Sequence, residues 1–110
     1  MQRSQARRKM MKEIPAATAV IVNPVHFAVA IRYALEGLAA PVVVAKGKNY
    51  LALRIRQKAV EHHVPIVENP PLAQALYKSV EVGQEIPPHL YRAVAEVLAY
   101  IFKLMKRRPG

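Results

Sequence analysis

The sequence predicts a single α/β domain, a small four-stranded sheet flanked by helices, and three observations support this fold class. The chain has 110 residues, which is enough for one modest core. Hydrophobic residues make up 53% of it, so that core can be filled. Apolar runs typical of strands alternate along the chain with amphipathic runs of helical period, as they do in α/β domains.

The N-terminal segment is predicted to be a basic helix. Ala6, Met10 and Ile14 recur at helical spacing, with good helix formers between them. We therefore predict that residues 1–14 are a basic helical connector and that residues 15–110 form the α/β domain.

Four stretches are predicted to be strands. Residues 18–22 form an apolar run, and bulky and small side chains alternate over residues 27–33. Residues 42–44 are three consecutive valines, too apolar for an exposed edge strand. Residues 64–68 give the fourth strand, which should run parallel to the third in a right-handed βαβ unit.

Three further helices follow from the apolar spacing. A basic loop at residues 46–49 leads into a helix over residues 50–62. Residues 70–79 form a short helix with Asn69 as its N-cap. Residues 87–88, both Pro, open the last helix. The side chains expected to face the core are Leu51, Ile55, Ala59, Leu72, Ala75, Leu76, Leu90, Val94, Val97, Leu98, Ile101 and Met105.

The turn between the first two strands carries the candidate chemistry. Pro24 has no N–H, so its nitrogen cannot attack the Asn23 side-chain carbonyl as an ordinary following residue does. In the remaining cyclisation, the Asn23 side-chain nitrogen attacks its own backbone carbonyl, expels the Pro24 nitrogen and breaks the chain. A carboxamide is a poor nucleophile, so the scaffold must hold it close and stabilise the oxyanion. His26 carries the nearest imidazole and is the candidate to move a proton or polarise the carbonyl.

An ordinary turn is the alternative, because Asn-Pro is a common turn initiator and most such pairs never cleave. The chain contains its own comparison at Asn69-Pro70. There the apolar run that follows favours a helix start. We predict that the Asn69-Pro70 bond stays whole.

Asn23-Pro24-Val25-His26 resembles the Asn-Pro-Thr-His signature of the cytoplasmic domain of the FlhB/YscU family, the substrate-specificity switch proteins of flagellar and virulence type III secretion. One departure is that Val25 stands where the family has Thr, which keeps the β-branched shape and loses a hydroxyl. Cleavage is expected to remain possible, at a slower rate. The resemblance continues in order through residues 26–33, 40–47, 68–73, 83–87 and 93–98.

The resemblance implies a switch domain of a protein export apparatus that cuts itself between Asn23 and Pro24 and so changes export specificity. This is single-turnover self-cleavage and not a turnover enzyme. The implied partners are other export components, the export substrates and a membrane-spanning half of the same chain upstream. The implied location is the cytoplasmic face of the bacterial inner membrane. Residues 80–87 and 93–100 favour the flagellar branch over the virulence secretion systems (injectisomes), which remain the alternative.

The formal net charge of +10 is concentrated at the two ends of the chain. Residues 1–12 hold five basic side chains and no acidic one, and Lys103, Lys106, Arg107 and Arg108 lie at the other end. Such tails suit an anionic membrane surface, an acidic partner, a nucleic-acid backbone or plain solvation. A basic nucleic-acid-binding module is the alternative from another class, and it is not expected because no aromatic interleaving or binding motif accompanies the charge.

Other classes of site lack their residues. The chain has no Cys and no Asp, so a disulfide framework, thiolate chemistry and a triad with Asp are excluded. His62 and His63 have no further ligand at metal spacing, and neither a metal nor a cofactor is expected. No apolar run approaches the length of about 20 residues that spans a bilayer, so a soluble segment is expected.

Overall fold

The computed structural model describes residues 2–24, 26–34 and 39–106. Short 3₁₀ turns at Ile14–Ala16 and Pro88–Leu90 precede β1 and α4. The helices and strands are, in chain order, α1 (Gln2–Glu13), β1 (Ala19–Asn23), β2 (Phe27–Arg32), β3 (Val42–Lys48), α2 (Tyr50–Glu61), β4 (Ile66–Glu68), α3 (Pro70–Ser79) and α4 (Tyr91–Lys106).

The four strands form one sheet in the order β3-β2-β1-β4. Strand β1 pairs antiparallel with β2, with Asn23 opposite Phe27, and parallel with β4, with Ile21 opposite Val67. Strand β1 therefore has a hydrogen-bonded neighbour on each side. The predicted fold class, a four-stranded sheet flanked by helices with the Asn-Pro turn between the first two strands, is confirmed.

Strand β3 lies at an edge of the sheet, although residues 42–44 were expected to be too apolar for an exposed edge strand. Strand β3 pairs only with β2 along its length, and a short segment after α3 covers the start of its outer side. The Val43 N–H donates to the Gln84 carbonyl at 3.0 Å, and the Gly83 N–H donates to the Val43 carbonyl at 2.7 Å. Val43 and Val44 are buried, and Val42 is half-buried, because this distant segment and the packed helices shield them. They therefore need no central place in the sheet.

Two further predictions about β3 need correction. Residues 46–49 were expected to be a loop, but the strand continues to Lys48 because Lys46 pairs with Val29 and Lys48 pairs with Phe27. The third and fourth strands run in the same direction, as predicted, yet β2 and β1 lie between them.

Helices cover both faces of the sheet, as the alternation along β1 requires. Ile21 belongs to the core cluster under α3 and α4, whereas Val20 belongs to the cluster under α1 and α2. On the second face Ala28 and Ala30 of β2 meet a helix whose buried residues include Ala52 and Ala59. Small side chains on both surfaces allow the close approach of α2.

The helix faces agree with the sequence patterns except near helix ends. Of the predicted stripe on α4, Met105 is 59% exposed, because this last turn extends beyond the core. Ala6 is exposed as well, and α3 buries Ala73 more completely than Ala75. Arg107 and Arg108 lie outside the described residues. Among those that are described, no helix is long and apolar enough to cross a membrane.

Candidate functional site

Asn23 and Pro24 lie at the tip of the hairpin that joins β1 to β2. Asn23 is the last residue of β1, and the His26 N–H donates to its backbone carbonyl oxygen at 3.0 Å. This bond closes the turn that runs from Asn23 to His26. Val25 itself lies outside the described residues. The carbonyl that receives the bond is the one that the predicted cyclisation attacks, so a donor already lies where the oxyanion would form.

The structure brings the three predicted site residues together but gives them different surroundings. Asn23 and Pro24 are half-buried, whereas His26 is exposed. Among the described residues, no hydrogen bond joins the His26 imidazole to Asn23. The contact between His26 and the scissile carbonyl is therefore made by the backbone.

Two main-chain hydrogen bonds fix the hairpin from outside. The Asn69 N–H donates to the Val22 carbonyl at 2.9 Å, and the Asn49 N–H donates to the His26 carbonyl at 2.8 Å. Asn69 precedes α3 and Asn49 precedes α2. The residue before α3 thus holds the β1 side of the turn, and the residue before α2 holds the β2 side. The sequence analysis had not assigned Asn49 to the site.

A small aromatic and cationic cluster packs beside the hairpin. The rings of Phe27 and Tyr77 have centroids 4.8 Å apart, and Lys46 Nζ lies 4.9 Å from the Tyr77 ring centroid. The same ammonium donates to the Tyr77 carbonyl at 2.9 Å and lies 3.5 Å from a carboxylate oxygen of Glu81. Glu81 is 75% exposed, so water weakens that ion pair. The cluster joins the end of α3 to the two strands next to the turn.

The second Asn-Pro step has a different environment. The Asn69 side-chain oxygen accepts the Leu72 N–H at 3.3 Å, and its backbone carbonyl accepts the Ala73 N–H at 2.9 Å. Asn69 is therefore the N-cap of α3, as predicted. Both acceptors of this residue are engaged by the helix, and no hairpin turn surrounds the bond to Pro70.

An apolar cavity of about 410 Å³ lies at the other end of β2 from the hairpin. Its walls include Tyr33, Pro41, Ile86, Leu98 and Phe102. At about 3.3 Å per strand residue, β2 separates the cavity from the turn by roughly 20 Å. The cavity is therefore a separate feature from the turn.

A basic groove lies between α1, α2 and the end of β3, with a volume of about 860 Å³. Asn49 lines it, so the groove begins next to the hairpin. Its basic side chains are Arg7, Arg8, Lys12, Lys46, Lys48, Arg54 and Lys58. Within residues 2–24, 26–34 and 39–106, no group of three or more His, Cys, Asp or Glu is arranged to hold a metal ion.

Known proteins match nearly the whole chain. The model of the FlhB HrpN YscU SpaS family matches residues 1–101. The chain is 51% identical over 108 residues to the flagellar biosynthetic protein FlhB of Salmonella typhimurium, covering 98% of this chain and 28% of the relative. It is 48% identical over 106 residues to FlhB of Bacillus subtilis, covering 96% of this chain and 29% of the relative. The chain thus spans under a third of the length of these relatives.

Solved structures show the same likeness. The cytoplasmic domain of FlhB from Shewanella putrefaciens has a TM-score of 0.87 and 44% identity, covering 94% of this chain and 84% of that one. A mutated EscU C-terminal domain has a TM-score of 0.79 and 30% identity, covering 84% of this chain and 92% of that one. Together with the sheet order and the Asn-Pro hairpin, these matches show that the chain belongs to the FlhB HrpN YscU SpaS family.

Proposed function

We propose that this chain is the cytoplasmic switch domain of a flagellar type III protein export apparatus, and that it cuts itself between Asn23 and Pro24. The observation that carries the self-cleavage is the 3.0 Å hydrogen bond from the His26 N–H to the Asn23 carbonyl oxygen, while the export role rests on the family to which the chain belongs. A backbone donor that already faces a developing oxyanion contributes strongly to catalysis of acyl transfer, because it stabilises the negative charge without first having to reorient.

The reaction is an intramolecular acyl transfer. The Asn23 side-chain nitrogen attacks the Asn23 backbone carbonyl carbon, whose oxygen takes up charge beside the His26 N–H. The bond from that carbon to the Pro24 nitrogen breaks, and a proton lost by the carboxamide nitrogen ends on the departing amine. The exposed His26 imidazole is the proposed carrier of this proton, directly or through water. The products are a succinimide at the new C-terminus and a free Pro24 amine, and no catalyst is regenerated.

The pairing of β1 within the sheet would keep the domain folded after cleavage. The strand that ends at Asn23 stays hydrogen-bonded to β2 and β4 on its two sides. Only the turn from Pro24 to His26 gains freedom. The change of shape and charge is therefore local, and a partner that contacts the turn can distinguish the two states.

The comparisons support both the chemistry and the flagellar branch. EscU C-terminal domains that resemble this chain include one with an Asn replaced by Ala and another with the next residue, a Pro, replaced by Ala. Relatives called flagellar biosynthetic protein FlhB are 43–51% identical to this chain and match 91–99% of it, whereas EscU domains are 28–32% identical and a PscU domain is 41% identical over 71% of the chain. We therefore prefer a flagellar apparatus to a virulence secretion system.

The proposed partners follow from two surfaces. Export components that distinguish the two states would contact the turn, whereas an apolar side chain of an export substrate would meet the apolar cavity. The basic groove and α1 would face the anionic cytoplasmic surface of the inner membrane, next to the membrane-spanning half of the same protein. Vesicles with and without anionic lipid, compared at two salt concentrations, test the second contact.

The decisive experiment is intact mass under denaturing conditions during incubation at neutral pH. The unmodified chain should give two masses that divide between Asn23 and Pro24, and Asn23→Ala should give only the full-length mass. Asn69→Ala is the matched control, because it alters the other Asn-Pro step and should leave the division unchanged. A single full-length mass for the unmodified chain after long incubation contradicts the proposal.

A further inference from the structure

Asn49 has a backbone conformation that L-residues rarely adopt. Its φ is 54° and its ψ is −120°, and His63 is the other non-Gly residue with positive φ in the described ranges. A side chain in this region is strained, and such strain persists only when the surroundings impose it. Strained residues cluster at functional sites, and the Asn49 backbone is hydrogen-bonded to His26 in the hairpin.

Capping of α2 does not explain it. Asn is a preferred N-cap residue, yet the Asn49 side chain makes no capping hydrogen bond and the residue is exposed. The contacts are made by the backbone instead. The Asn49 N–H donates to the His26 carbonyl at 2.8 Å, while its carbonyl accepts the Leu53 N–H at 3.1 Å.

The connection from β3 to α2 is a single residue, Asn49, so no additional loop residues can relieve the strain. A Cβ added to Gly47 would lie 2.6 Å from Leu51 Cγ, so strand and helix are in close contact here. Gly47 is also paired with Ala28, one residue after Phe27. The chain must therefore reverse within Lys48 and Asn49, and it does so with the Asn49 N–H aimed at the hairpin.

His26 is held at both of its backbone polar groups. Its N–H donates to the scissile Asn23 carbonyl, and its carbonyl accepts from Asn49. Moving the Asn49 N–H would release the second bond and let His26 rotate away from the first. Two hydrogen bonds thus connect the oxyanion donor, through His26, to the backbone of Asn49 on another element.

We propose that Asn49 is a positioning residue for the self-cleavage, acting through His26. The inference rests on the proposed function and adds the element that holds its oxyanion donor in place. It makes one distinctive demand, which is that residue 49 supplies a positive φ and an N–H, while its side-chain chemistry is unimportant.

The test follows cleavage of freshly synthesised chain in cell-free translation, with samples denatured at intervals and weighed. Asn49→Gly adopts the same φ without strain and should cut within about twofold of the unmodified rate. Asn49→Val is β-branched and strongly resists positive φ, so it should cut about ten to a hundred times more slowly, as small misplacements at reacting centres do.

The other positive-φ residue supplies the matched control. His63→Val places the same β-branched residue at a positive φ of 58° after the C-terminal end of α2 and should leave the cleavage rate unchanged. Hydrogen exchange of the His26 amide gives a readout that a general loss of stability does not mimic. Measured in an Asn23→Ala background, so that no chain is cut, its protection should fall in Asn49→Val more than that of the Val29 and Ile31 amides, and stay intact in His63→Val and Asn49→Gly. Should Asn49→Val fail to fold by circular dichroism, Asn49→Ala, with a smaller penalty, takes its place.

The outcomes separate the two ideas. An unmodified chain that never cuts refutes the proposed function, and this inference falls with it. An unmodified chain that cuts while folded Asn49→Val cuts equally fast refutes the inference alone. A rate lowered as much by His63→Val as by Asn49→Val also refutes it, because general destabilisation would then suffice.

Discussion

Replacing Ile21 by Ala tests whether β1 is held by the core as the structure indicates. Ile21 is fully buried in the middle of β1, opposite Val29 of β2 and Val67 of β4. It belongs to the cluster that includes Leu72 and Leu76 of α3. The measurement should be made in an Asn23→Ala background, so that every molecule is a single chain.

The expected loss can be worked from the deleted atoms. Ile to Ala removes three carbons, and at about 0.8 kcal/mol for each buried carbon the transfer part is about 2.4 kcal/mol. The cavity left behind adds to this, which gives about 3–4 kcal/mol, within the range of roughly 2–5 kcal/mol for such changes. A domain of this size has only about 5–15 kcal/mol in total, so the change is large.

Urea unfolding followed by circular dichroism measures this loss. The midpoint should fall while the slope of free energy against urea stays the same. Leu53→Ala on α2 is the matched control, because Leu53 is 42% exposed and should lose no more than about 1 kcal/mol. A loss below about 1 kcal/mol for Ile21→Ala would refute the central, buried place of β1.

Three other changes have definite expected results. Asn69→Ala removes the N-cap of α3 and should lower the unfolding free energy by about 1 kcal/mol in the same assay. Gly47→Ala forces Leu51 to move and should cost about 1–3 kcal/mol, with no such loss if α2 can shift freely. Val25→Thr restores the hydroxyl of the family signature and should raise the rate at which intact mass divides, whereas an unchanged rate would show that the hydroxyl is dispensable.

The pattern of apolar residues predicted the sheet well where neighbouring segments decide the structure. The alternation after His26 indicates a strand, and the Asn-Pro step before it indicates a turn, so the hairpin follows from local sequence. The edge position of β3 did not follow. It depends on Gly83 and Gln84, about forty residues away in the chain, whose backbone covers the start of the strand. Periodicity carries no information on such distant pairing.

The candidate site was predictable in its reacting groups and not in its supports. The Asn-Pro order blocks one cyclisation and leaves the other, but Asn69-Pro70 has the same order, so it was the resemblance to the family signature that singled out Asn23 and Pro24. The donor on the scissile carbonyl is a backbone group, which any residue carries, so the sequence drew attention to the His26 imidazole instead. Asn49 was not predicted as a site residue for a related reason, because residue type alone rarely indicates a strained backbone. The available signal was an Asn two residues after a Gly at a strand-to-helix reversal, where positive φ is tolerated.

The central place of β1 in the sheet also determines how long the two parts of the cut chain stay together. In the proposed role, the cut removes the covalent link between the membrane-bound part of the protein and everything after Asn23, so the two parts are joined by the ladders on either side of β1 and by the packing of Met10 and Ile14 in the core. Drawing β1 out requires the sheet to open, so the lifetime of the join equals the waiting time for unfolding. For small domains that time ranges from under a second to days. A steady pull from a partner would shorten it, which makes the switch sensitive to mechanical load as well as to chemistry.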